Sequence, residues 1–427
     1  MNAPKSNTLS RRGFIKTLTA GVAIPMIVPS SALGLAGSIA PSNRIAMGFI
    51  GTGGRMNALF SGFLPQKDVQ AIAVADPRDS ARQAAVKKTK VNPKASYRDF
   101  RELIARDDID AVAIASPDYW HVPHSIAAIK AGKDVYCEKP LSNTISEGRM
   151  LVDTVKRYGA VFQHGTQLHS MATVHQACQL VRNGRIGTLD RIVIGSPPGK
   201  VAPMAPPQPV PDSIDYDLWQ GPAPLRPYNS TVVNRVGWYF ISDYSQSGWI
   251  AGYGVHDIDI AQWAIGMEQS GPVEIEGRGV FPSDGLYDTV TTYELNFTYP
   301  NGVKLLMTDT TRNRHGVTFH GSEGKVYTRF SIETEPKALA RAEFETSEIH
   351  LQKSPGHQRN FLDCVKSRKD PITCAETAHR ATSTALLGGI AVKLGRKLRW
   401  DPKTERFAND PQANSLLTLA MRPPWNL

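Results

Sequence analysis

The sequence contains few cysteines, and their spacing predicts no metal site. Cysteine occurs four times in 427 residues, with neither metal-ligand spacing nor the density of a disulfide framework. The four positions are Cys137, Cys178, Cys364 and Cys374. A bridge between Cys364 and Cys374 is compatible with an oxidising compartment, whereas buried thiols are the simpler interpretation.

Long apolar runs and basic clusters are also lacking. The stretch from Leu18 to Val28 is short and is broken by Pro25 and Pro29, so it predicts no stable membrane span. The net charge is +10 and falls to about +6 without the four cations before residue 17, and no basic run is interleaved with aromatic residues. We therefore expect no nucleic-acid partner. With 41% hydrophobic residues, the chain can build cores for two domains.

The amino end resembles an export signal. Ser10 to Lys16 contains the pair Arg11-Arg12 and is followed by the apolar stretch and then by small residues up to Gly37. This order is typical of a twin-arginine signal, whereas a disordered basic tail would not explain the spacing. We therefore predict a signal over residues 1–37, export to the periplasm or beyond, and the twin-arginine export machinery as a partner. Ala32–Gly34 and Leu35–Gly37 are both imperfect cleavage sites.

A glycine-rich turn between a strand and a helix gives the first functional indication. The apolar run from Arg44 to Ile50 predicts a strand, Gly51 to Arg55 a turn, and the residues up to Phe63 a helix. A second strand, Val69 to Ala75, ends at an acidic residue. This order is the dinucleotide fingerprint in its proper setting.

Each position of the fingerprint has an expected role. Gly51 permits the tight turn, and Gly53 lets the backbone approach a pyrophosphate at the helix N-terminus. Asp76 lies 23 residues after Gly53 and is placed to bind a ribose hydroxyl, which favours NAD, while Arg78 is compatible with NADP. Met56 replaces the third glycine. The predicted cofactor contacts of this region are Gly51, Thr52, Gly53, Gly54, Arg55, Asp76 and Arg78.

Three more strands follow at βαβ spacing, which predicts a doubly wound parallel sheet. They are Ala111 to Ala115, Asp134 to Cys137 and Val161 to His164, separated by helices at His121–Ala131 and Thr144–Arg157. Two motifs lie at strand ends, which face the ligand crevice in such sheets. One is Ser116 to His121, which can equally be a proline-fixed turn whose aromatic residues cover the core. The other is Cys137-Glu138-Lys139-Pro140.

Lys139 is the strongest catalytic candidate in the chain. A lysine changes its pKa readily when it is buried, so it can accept a proton. The alternative is a surface lysine that happens to end a strand.

The second half reads as an α+β domain. A helix at Ala172–Asn183 precedes a strand at Leu189–Gly195 and a proline-rich loop, Pro197 to Pro211, which we expect to be ordered. Alternating patterns predict antiparallel strands. They cover Val273–Phe281, Val290–Thr298 and Val303–Thr308. A final amphipathic helix is predicted at Glu376–Leu394.

A histidine at the start of a helix is the second catalytic candidate. The segment Gly248 to Asp259 opens a helix that continues through Trp263, and His256 and Asp259 share a face of it. An imidazole beside a carboxylate is suited to proton transfer. The alternative is a helix-start histidine, with Asp257 or Asp259 interacting with the helix dipole.

Three motifs together resemble the Gfo/Idh/MocA oxidoreductases, relatives of glucose–fructose oxidoreductase and inositol dehydrogenase. They are Asp110 to His121, Ala131 to Pro140 and Gly254 to Asp259. The resemblance implies a Rossmann domain, predicted at 43–167, and a mixed, largely antiparallel sheet domain for substrate binding and oligomerisation at 168–427. It also implies a lysine beside nicotinamide and substrate, followed by a frequently cis proline, and a homo-oligomer.

The resemblance extends the set of expected site residues. It implies cofactor contacts at Ser116, Pro117, His121, Glu138, Lys139 and Gln167. It implies substrate contacts at Lys139, Tyr253, His256 and Asp259, with Lys139 and His256 catalytic.

The chain departs from the family pattern at two positions of the substrate pocket. Gly252 stands where the family often has aspartate, and His169 stands where relatives commonly carry arginine. The identity of the substrate therefore does not carry over from inositol dehydrogenases.

The residues and the resemblance together predict an exported NAD(P)-dependent oxidoreductase. We expect it to transfer hydride between a sugar or glycoside hydroxyl and a tightly bound nicotinamide nucleotide, because little free NAD is available outside the cytoplasmic membrane. One alternative is a glycosidase that uses bound NAD as a transient oxidant, although such relatives generally carry valine at position 139. The other is a non-catalytic sugar or nucleotide sensor.

Overall fold

A computed structural model of the chain describes residues 40, 43–234, 236–425 and 427. The twin-arginine signal that we predict at 1–37 lies outside the described residues. Among the described helices, none is both long and apolar enough to cross a membrane.

The first sheet is parallel throughout and follows the doubly wound order. Its strands across the sheet are β3 (Ser96–Tyr97), β2 (Val69–Ala75), β1 (Ile45–Ile50), β4 (Ala111–Ile114), β5 (Asp134–Cys137) and β6 (Phe162–His164). Strands β4 and β5 are buried along their whole length, as expected for a sheet covered on both faces. Strands β1, β4 and β5 end side by side, which brings their following loops to one edge.

Five helices connect these strands. They are α1 (Gly54–Phe63), α2 (Asp79–Thr89), α3 (Phe100–Ile104), α4 (Asp118–Lys130) and α5 (Ile145–Tyr158). Separate apolar clusters on the two faces of the sheet hold them. The predicted strands and helices of this half are therefore confirmed, with ends that differ by at most three residues.

The second sheet is mixed and mostly antiparallel. Its strands across the sheet are β13 (Ile332–Glu335), β12 (Gly324–Thr328), β11 (Gly316–Gly321), β7 (Leu189–Ser196), β10 (Lys304–Asp309), β9 (Thr292–Thr298), β8 (Glu274–Val280), β14 (Leu398–Asp401) and β15 (Arg406–Phe407). Only the β7–β10 pair is parallel. The predicted α/β fold class, with a parallel sheet domain before a mixed one, is confirmed.

The remaining helices pack around this second sheet or return to the first. They are α6 (Ala172–Arg182), α7 (Tyr216–Gln220), α8 (Ser230–Val233), α9 (Trp249–Gly252), α10 (Gly254–Ile265), α11 (His357–Ser367), α12 (Ala375–Leu394) and α13 (Pro411–Ser415). Single turns of 3₁₀ helix occur at Pro93–Ala95, Gln167–Ser170, Gly237–Phe240 and Lys337–Arg341. Helix α11 packs on the first sheet, where Phe361 meets Phe63 edge to face.

Helix α12 differs from the prediction in its surroundings. It begins and ends as expected, but residues around nearly its whole circumference are buried, so it is not amphipathic. It contacts β8 of the second sheet and α5 of the first domain. A helix that is enclosed on all sides has no polar face to reveal its orientation in the sequence.

The proline-rich loop is ordered by backbone hydrogen bonds, as predicted. Gly199 donates to the Thr291 carbonyl at 2.7 Å, Gln208 donates to Tyr228 at 2.9 Å, and the Ala202 carbonyl accepts from Leu286 at 3.0 Å. The four cysteines are free thiols, and three of them are buried. No Cys364–Cys374 bridge is formed, which leaves the simpler interpretation that the cysteines are unpaired thiols.

Candidate active site

The lysine of the Glu-Lys-Pro motif lies where strand β5 ends, beside the second domain. The Glu138 amide donates to the Ile114 carbonyl at 2.9 Å, which carries the sheet ladder up to the motif. The Lys139–Pro140 peptide is cis, as the family resemblance implied. Lys139 Nζ donates to the Gly252 carbonyl at 2.5 Å and lies 3.5 Å from the Tyr239 hydroxyl. The lysine therefore reaches out of the first domain into a polar site on the second.

Two tyrosine rings flank the ammonium group. Lys139 Nζ lies 5.5 Å from the centroid of Tyr239 and 5.4 Å from that of Tyr253, within the range of cation–π attraction. Burial lowers the pKa of Lys139, while the nearby carboxylates of Glu138 and Asp118 act in the opposite direction. A backbone carbonyl holds the lysine without adding a full negative charge. The site thus favours an amine that can take up a proton.

Asp118 is a buried acid whose charge interacts with that of Lys139. Our sequence reasoning did not identify it. Its Oδ2 accepts a hydrogen bond from the Ser245 hydroxyl at 2.9 Å, and the residue is 1% exposed. Burial raises the pKa of Asp118 to about 8, although Lys139, Ser245 and Tyr239 all oppose the shift. The charges of the carboxyl group and the amine therefore influence each other, and Oδ1 of Asp118 has no hydrogen-bond partner among the described residues.

His256 lies at the start of α10, where the positive charges of Lys139 and Arg329 affect its pKa. Burial lowers the pKa of His256 well below its ordinary value, and those two cations add to the effect. Its ring is therefore neutral near pH 7. Among the described residues, Nδ1 of His256 has no hydrogen-bond partner. A neutral imidazole with a free nitrogen can bind a hydroxyl group.

The predicted partnership of His256 with Asp259 is wrong. Asp259 Oδ2 instead lies 2.8 Å from Nδ1 of His169, and both side chains are almost fully buried. The His169 ring packs against Trp263 in a tilted arrangement, with ring centroids 3.8 Å apart. Two helix residues three apart share a face, but the turn Gln167–Ser170 supplies a closer partner. The Asp259 carboxylate is therefore paired with His169, and its contact with a substrate stays a prediction.

A second buried ion pair lies next to His256. Asp257 is fully buried and forms an ion pair with Arg329, which follows β12 and is 4% exposed. Burial raises the pKa of Asp257 to about 6 against the opposing effect of Arg329. His315 Nε2 lies 3.8 Å from the same carboxylate. These residues fix the start of α10 and contribute positive charge near the lysine.

His164 also belongs to this environment. It ends strand β6, next to the strand that leads to Lys139, and it is 0% exposed. Neither ring nitrogen has a hydrogen-bond partner within the described part of the chain. We predicted the strand but did not identify its last residue as part of the site. The signal was its place at a strand end, the same signal that identified Lys139.

Glu138 connects the motif to the glycine-rich turn. Its Oε1 accepts from Arg55 Nη2 at 2.7 Å and from Gln167 Nε2 at 2.8 Å. Gln167 also donates to the Tyr136 hydroxyl at 2.7 Å. The structure therefore brings together the predicted residues Arg55, Glu138 and Gln167.

The fingerprint residues form the dinucleotide cradle. Gly51 has φ +75°, and a Cβ there would lie 2.5 Å from the Ser116 amide nitrogen, so the turn requires glycine. Helix α1 starts after Gly53 without a side-chain cap and without an acidic residue in its first turn. Its free N–H groups suit a pyrophosphate. The residues therefore fit a bound dinucleotide.

The carboxylate that we predict to bind the ribose forms a bidentate ion pair. Arg78 donates to Asp76 through its backbone N at 2.9 Å, through Nε at 3.1 Å and through Nη2 at 3.2 Å. The Thr52 hydroxyl adds a long contact of 3.4 Å to the same carboxylate. Gly53 lies directly beneath the Arg78 guanidinium. Asp76 and Arg78 thus act as one unit.

A cavity of about 390 Å³ continues from this cradle. Eight of the predicted cofactor residues line it, namely Gly51, Gly53, Gly54, Arg55, Asp76, Arg78, Ser116 and Pro117. Its far end is aromatic, formed by Phe100, Trp120 and His124, with Trp120 stacked on His124 at 4.4 Å. Residues of the second domain complete the wall.

His121 lies behind the cavity rather than in its lining. Nδ1 is 2.6 Å from the Pro140 carbonyl and Nε2 is 2.8 Å from the Ser116 carbonyl. It therefore joins the two strand-end motifs, and its direct contact with a cofactor stays a prediction. Tyr119 and Trp120 are buried, so the aromatic residues of this motif also cover the core. No cluster of three metal-ligating side chains occurs among the described residues.

Two family models match the chain. The model of an oxidoreductase family with an NAD-binding Rossmann fold matches residues 45–166, and that of the C-terminal alpha/beta domain matches residues 198–427. The Rossmann domain and its NAD cofactor are therefore as predicted.

Curated and solved relatives give two kinds of similarity. The chain is 33% identical over 174 residues to an alpha-N-acetylgalactosaminidase of Shewanella oneidensis, a match that covers 35% of this chain and 38% of that protein. The aldose-aldose oxidoreductase of Caulobacter crescentus, solved with glycerol, has a TM-score of 0.63 at 16% identity and covers 83% of this chain and 99% of its own.

A third relative is a solved dehydrogenase. The WlbA dehydrogenase of Bordetella pertussis, in complex with NADH and UDP-GlcNAcA, has a TM-score of 0.63 at 16% identity and covers 84% of this chain and 99% of its own. At such identities the solved structures establish a shared fold. With both of its domains matched, the chain belongs to the Gfo/Idh/MocA oxidoreductase family.

Proposed function

We propose that this protein is an exported NAD-dependent oxidoreductase that acts on a hydroxyl group of a sugar or glycoside. The observation that carries the proposal is the placement of Lys139. Its amine lies at the carboxyl edge of the parallel sheet, is held by a neutral carbonyl, and has a pKa lowered by burial. A proton acceptor beside a dinucleotide cradle suits alcohol oxidation.

The protein's own residues provide a route for the hydroxyl proton. When bound, the nicotinamide supplies the two-electron acceptor or donor for a hydride. Lys139 Nζ accepts the hydroxyl proton and can share a proton with the Tyr239 oxygen, 3.5 Å away. Asp118 lies nearby and can take up this proton in its ionised form, above its raised pKa of about 8. Reduction of a ketone uses the same groups in reverse.

The surrounding residues bind the sugar and limit water. The neutral ring of His256 can hold a second hydroxyl group, since its Nδ1 is unengaged within the described chain. Tyr239 and Tyr253 form aromatic walls on two sides of the lysine. Such rings can pack on the apolar face of a sugar while their hydroxyl groups remain available for hydrogen bonds. The UDP-GlcNAcA bound to the solved WlbA dehydrogenase is consistent with this substrate class.

We further propose export through the twin-arginine route, with the nucleotide loaded before export and kept bound. A second, keto-bearing molecule would then reoxidise it in place. Support comes from Arg11-Arg12 in the sequence and from the dinucleotide cavity, which residues of both domains line. We also propose that the protein forms homo-oligomers, on the family resemblance alone.

A glycosidase that works through transient oxidation is the second candidate. It is favoured by the similarity of the chain to the alpha-N-acetylgalactosaminidase of Shewanella oneidensis. Since the chain spans 38% of that relative's length, its activity is a proposal for this protein and no more. Lys139 supports the oxidoreductase instead, because the glycosidases of the resemblance generally carry valine there.

Product analysis on a panel of sugars and glycosides distinguishes the candidates. The oxidoreductase should yield oxidised sugar together with reduced nucleotide, both detectable by mass spectrometry and absorbance. The glycosidase should release free sugar without net reduction of the nucleotide. Binding without any turnover would support the sensor and overturn both enzymes.

The lysine is tested by Lys139→Met. Turnover should fall by about 10²–10⁴-fold, the usual contribution of an acid–base group, while nucleotide binding persists. Lys133→Met is the matched control, because Lys133 is also buried and also donates to a backbone carbonyl, that of Arg106 at 2.7 Å, but at the opposite end of β5. Turnover within about threefold of the parent for Lys139→Met would remove its proposed role.

A further inference from the structure

The dinucleotide cavity has a wall that does not belong to the nucleotide-binding domain. Five residues from the second half of the chain face the fingerprint across the cavity: Leu218, Trp219, Val233, Val236 and Trp238. We call these five residues the cover. Our sequence reasoning did not assign them to the cofactor, since they lie more than 140 positions after Asp76.

We propose that the cover encloses the adenosine half of the bound nucleotide and prevents it from dissociating between turnovers. This inference rests on the proposed function, in which the nucleotide is recycled in place. It adds the residues that retain it, and it assigns the cover a binding role distinct from that of the fingerprint.

The cover is attached directly to the ribose-binding turn. The Asp79 amide donates to the Ser213 carbonyl at 2.9 Å, and the Asp215 amide donates to the Pro77 carbonyl at 3.1 Å. Together they form a short antiparallel bridge between Arg78 and Ile214. The residues that precede the cover are thus hydrogen-bonded to both neighbours of Arg78, the partner of Asp76.

A second attachment holds the middle of the cover. The Trp219 carbonyl accepts two buried hydrogen bonds, from the Tyr119 hydroxyl at 2.7 Å and from the Trp120 indole at 3.2 Å. The backbone of Gly221 lies against the Trp120 ring so closely that a Cβ would be 2.0 Å from it. Trp120 therefore contacts the cavity on one side and supports the cover on the other.

The far end of the cover reaches the catalytic lysine. Trp238 stacks on Tyr239 with ring centroids 3.8 Å apart, and the Tyr239 hydroxyl lies 3.5 Å from Lys139 Nζ. The cover consequently extends from the ribose turn to Trp238, whose ring neighbour Tyr239 contacts the catalytic lysine.

Two residues near the end of the chain, Arg422 and Trp425, contact the residues that support the cover. Arg422 pairs with Asp217 at 2.6 Å and donates through Nε to the Gly221 carbonyl at 3.0 Å. Trp425 packs edge-on against Trp120 at 4.9 Å. Opening the cover requires these contacts and the Trp219 hydrogen bonds to break, which is a slow route for nucleotide exchange.

The test loosens the cover without changing any residue that lines the cavity. Tyr119→Phe removes one buried hydrogen bond to Trp219, and Arg422→Met removes the outer attachment. The full chain is loaded with NADH and diluted into excess NAD, and release is followed by the recovery of tryptophan emission, since Trp120, Trp219 and Trp238 border the cavity. We expect the double variant to release NADH at least tenfold faster than the parent.

Two controls keep the proposal falsifiable. Arg185→Met removes a comparable arginine–glutamate pair, that with Glu348 at 2.7 Å on the second domain, and should leave the release rate unchanged. If the double variant does not fold, Arg422→Met alone should still accelerate release by more than threefold. Release from the loosened variants within twofold of the parent, or exchange by the parent within the mixing time, would overturn the proposal.

Turnover is measured separately so that the two proposals can fail independently. Sugar oxidation at saturating added nucleotide reports the proposed function, whereas NADH release requires no substrate. Slow release that the double variant accelerates, from a protein without turnover, would support the cover and remove the oxidoreductase proposal. Rapid release from an active enzyme would do the reverse.

Discussion

The pairing of Asp76 with Arg78 predicts that one substitution changes the cofactor preference. Two Arg78 donors occupy Oδ1 of Asp76, and a third, Nη2, occupies Oδ2. The remaining contact to Oδ2 is the 3.4 Å bond from Thr52, long enough to be the weakest of the four. A ribose 2′-hydroxyl can replace it, whereas the 2′-phosphate of NADP would meet the carboxylate's charge.

Replacing Asp76 with alanine should weaken the binding of NAD and strengthen the binding of NADP. NAD loses a hydrogen bond to a charged group, worth about 1.5–3 kcal/mol, so its affinity should fall by roughly 10–150-fold. NADP loses the repulsion and gains the freed Arg78 guanidinium, whose side chain is 27% exposed. Partial exposure reduces that gain to about 1 kcal/mol. The preference for NAD over NADP should therefore drop by about 10²–10³-fold.

Calorimetric titration of both nucleotides into nucleotide-free protein, at one fixed ionic strength, measures this ratio. Asp79→Ala is the matched control, because Asp79 lies on the same turn but pairs with Arg82 and Arg98. A ratio that changes by less than about threefold, or an equal loss of affinity for both nucleotides, would refute the assignment of Asp76 to the ribose.

Three further predictions concern the lysine and export. Oxidation should accelerate as pH rises through the pKa of Lys139, which burial lowers, because only the unprotonated amine accepts a proton. Ketone reduction should slow over the same pH range. A kcat–pH profile of Lys139→Met should lack both changes in rate. Gly252→Ala should reduce stability by about 1–3 kcal/mol in a denaturant titration, because its Cβ would lie 2.8 Å from the Tyr239 ring, and an unchanged midpoint would contradict the packing. Arg11→Lys with Arg12→Lys should retain the protein in the cytoplasm, as cell fractionation can check, and efficient export of that variant would rule out the signal.

The first domain was predictable because its chemistry is local in sequence. A buried parallel strand is an apolar run, and its end is marked by a glycine or a polar residue. Strand β2 ends at Ala75, immediately before Asp76, as the pattern indicates. The same rule placed Lys139 at the carboxyl edge. The cradle therefore follows from the order of residues over short distances.

The contacts that define the catalytic environment join distant parts of the chain. Lys139 meets Tyr239 and Gly252, which lie 100 and 113 positions later. No periodicity links such residues, so Tyr239, Asp118 and Arg329 were missed. The error at Asp259 has the same origin, because its true partner His169 lies 90 positions earlier. Local spacing proposed His256 as that partner, and tertiary packing selected another.

The departure at position 252 explains how this site can still be basic. An aspartate there, as the family often has, would place a further negative charge near Lys139 and raise its pKa. Here the Tyr239 ring fills the space that a side chain at 252 would need, and the carbonyl of Gly252 takes the hydrogen bond. A carbonyl orients the amine but stabilises its charged form less than a carboxylate does. Burial then has the largest effect on the pKa of Lys139 and lowers it. The carboxylates of Glu138 and Asp118 raise this pKa by smaller amounts. Asp118 lies near the same lysine in place of the missing acid, and because its own pKa is raised to about 8, it can accept the lysine's proton only as pH rises past that value.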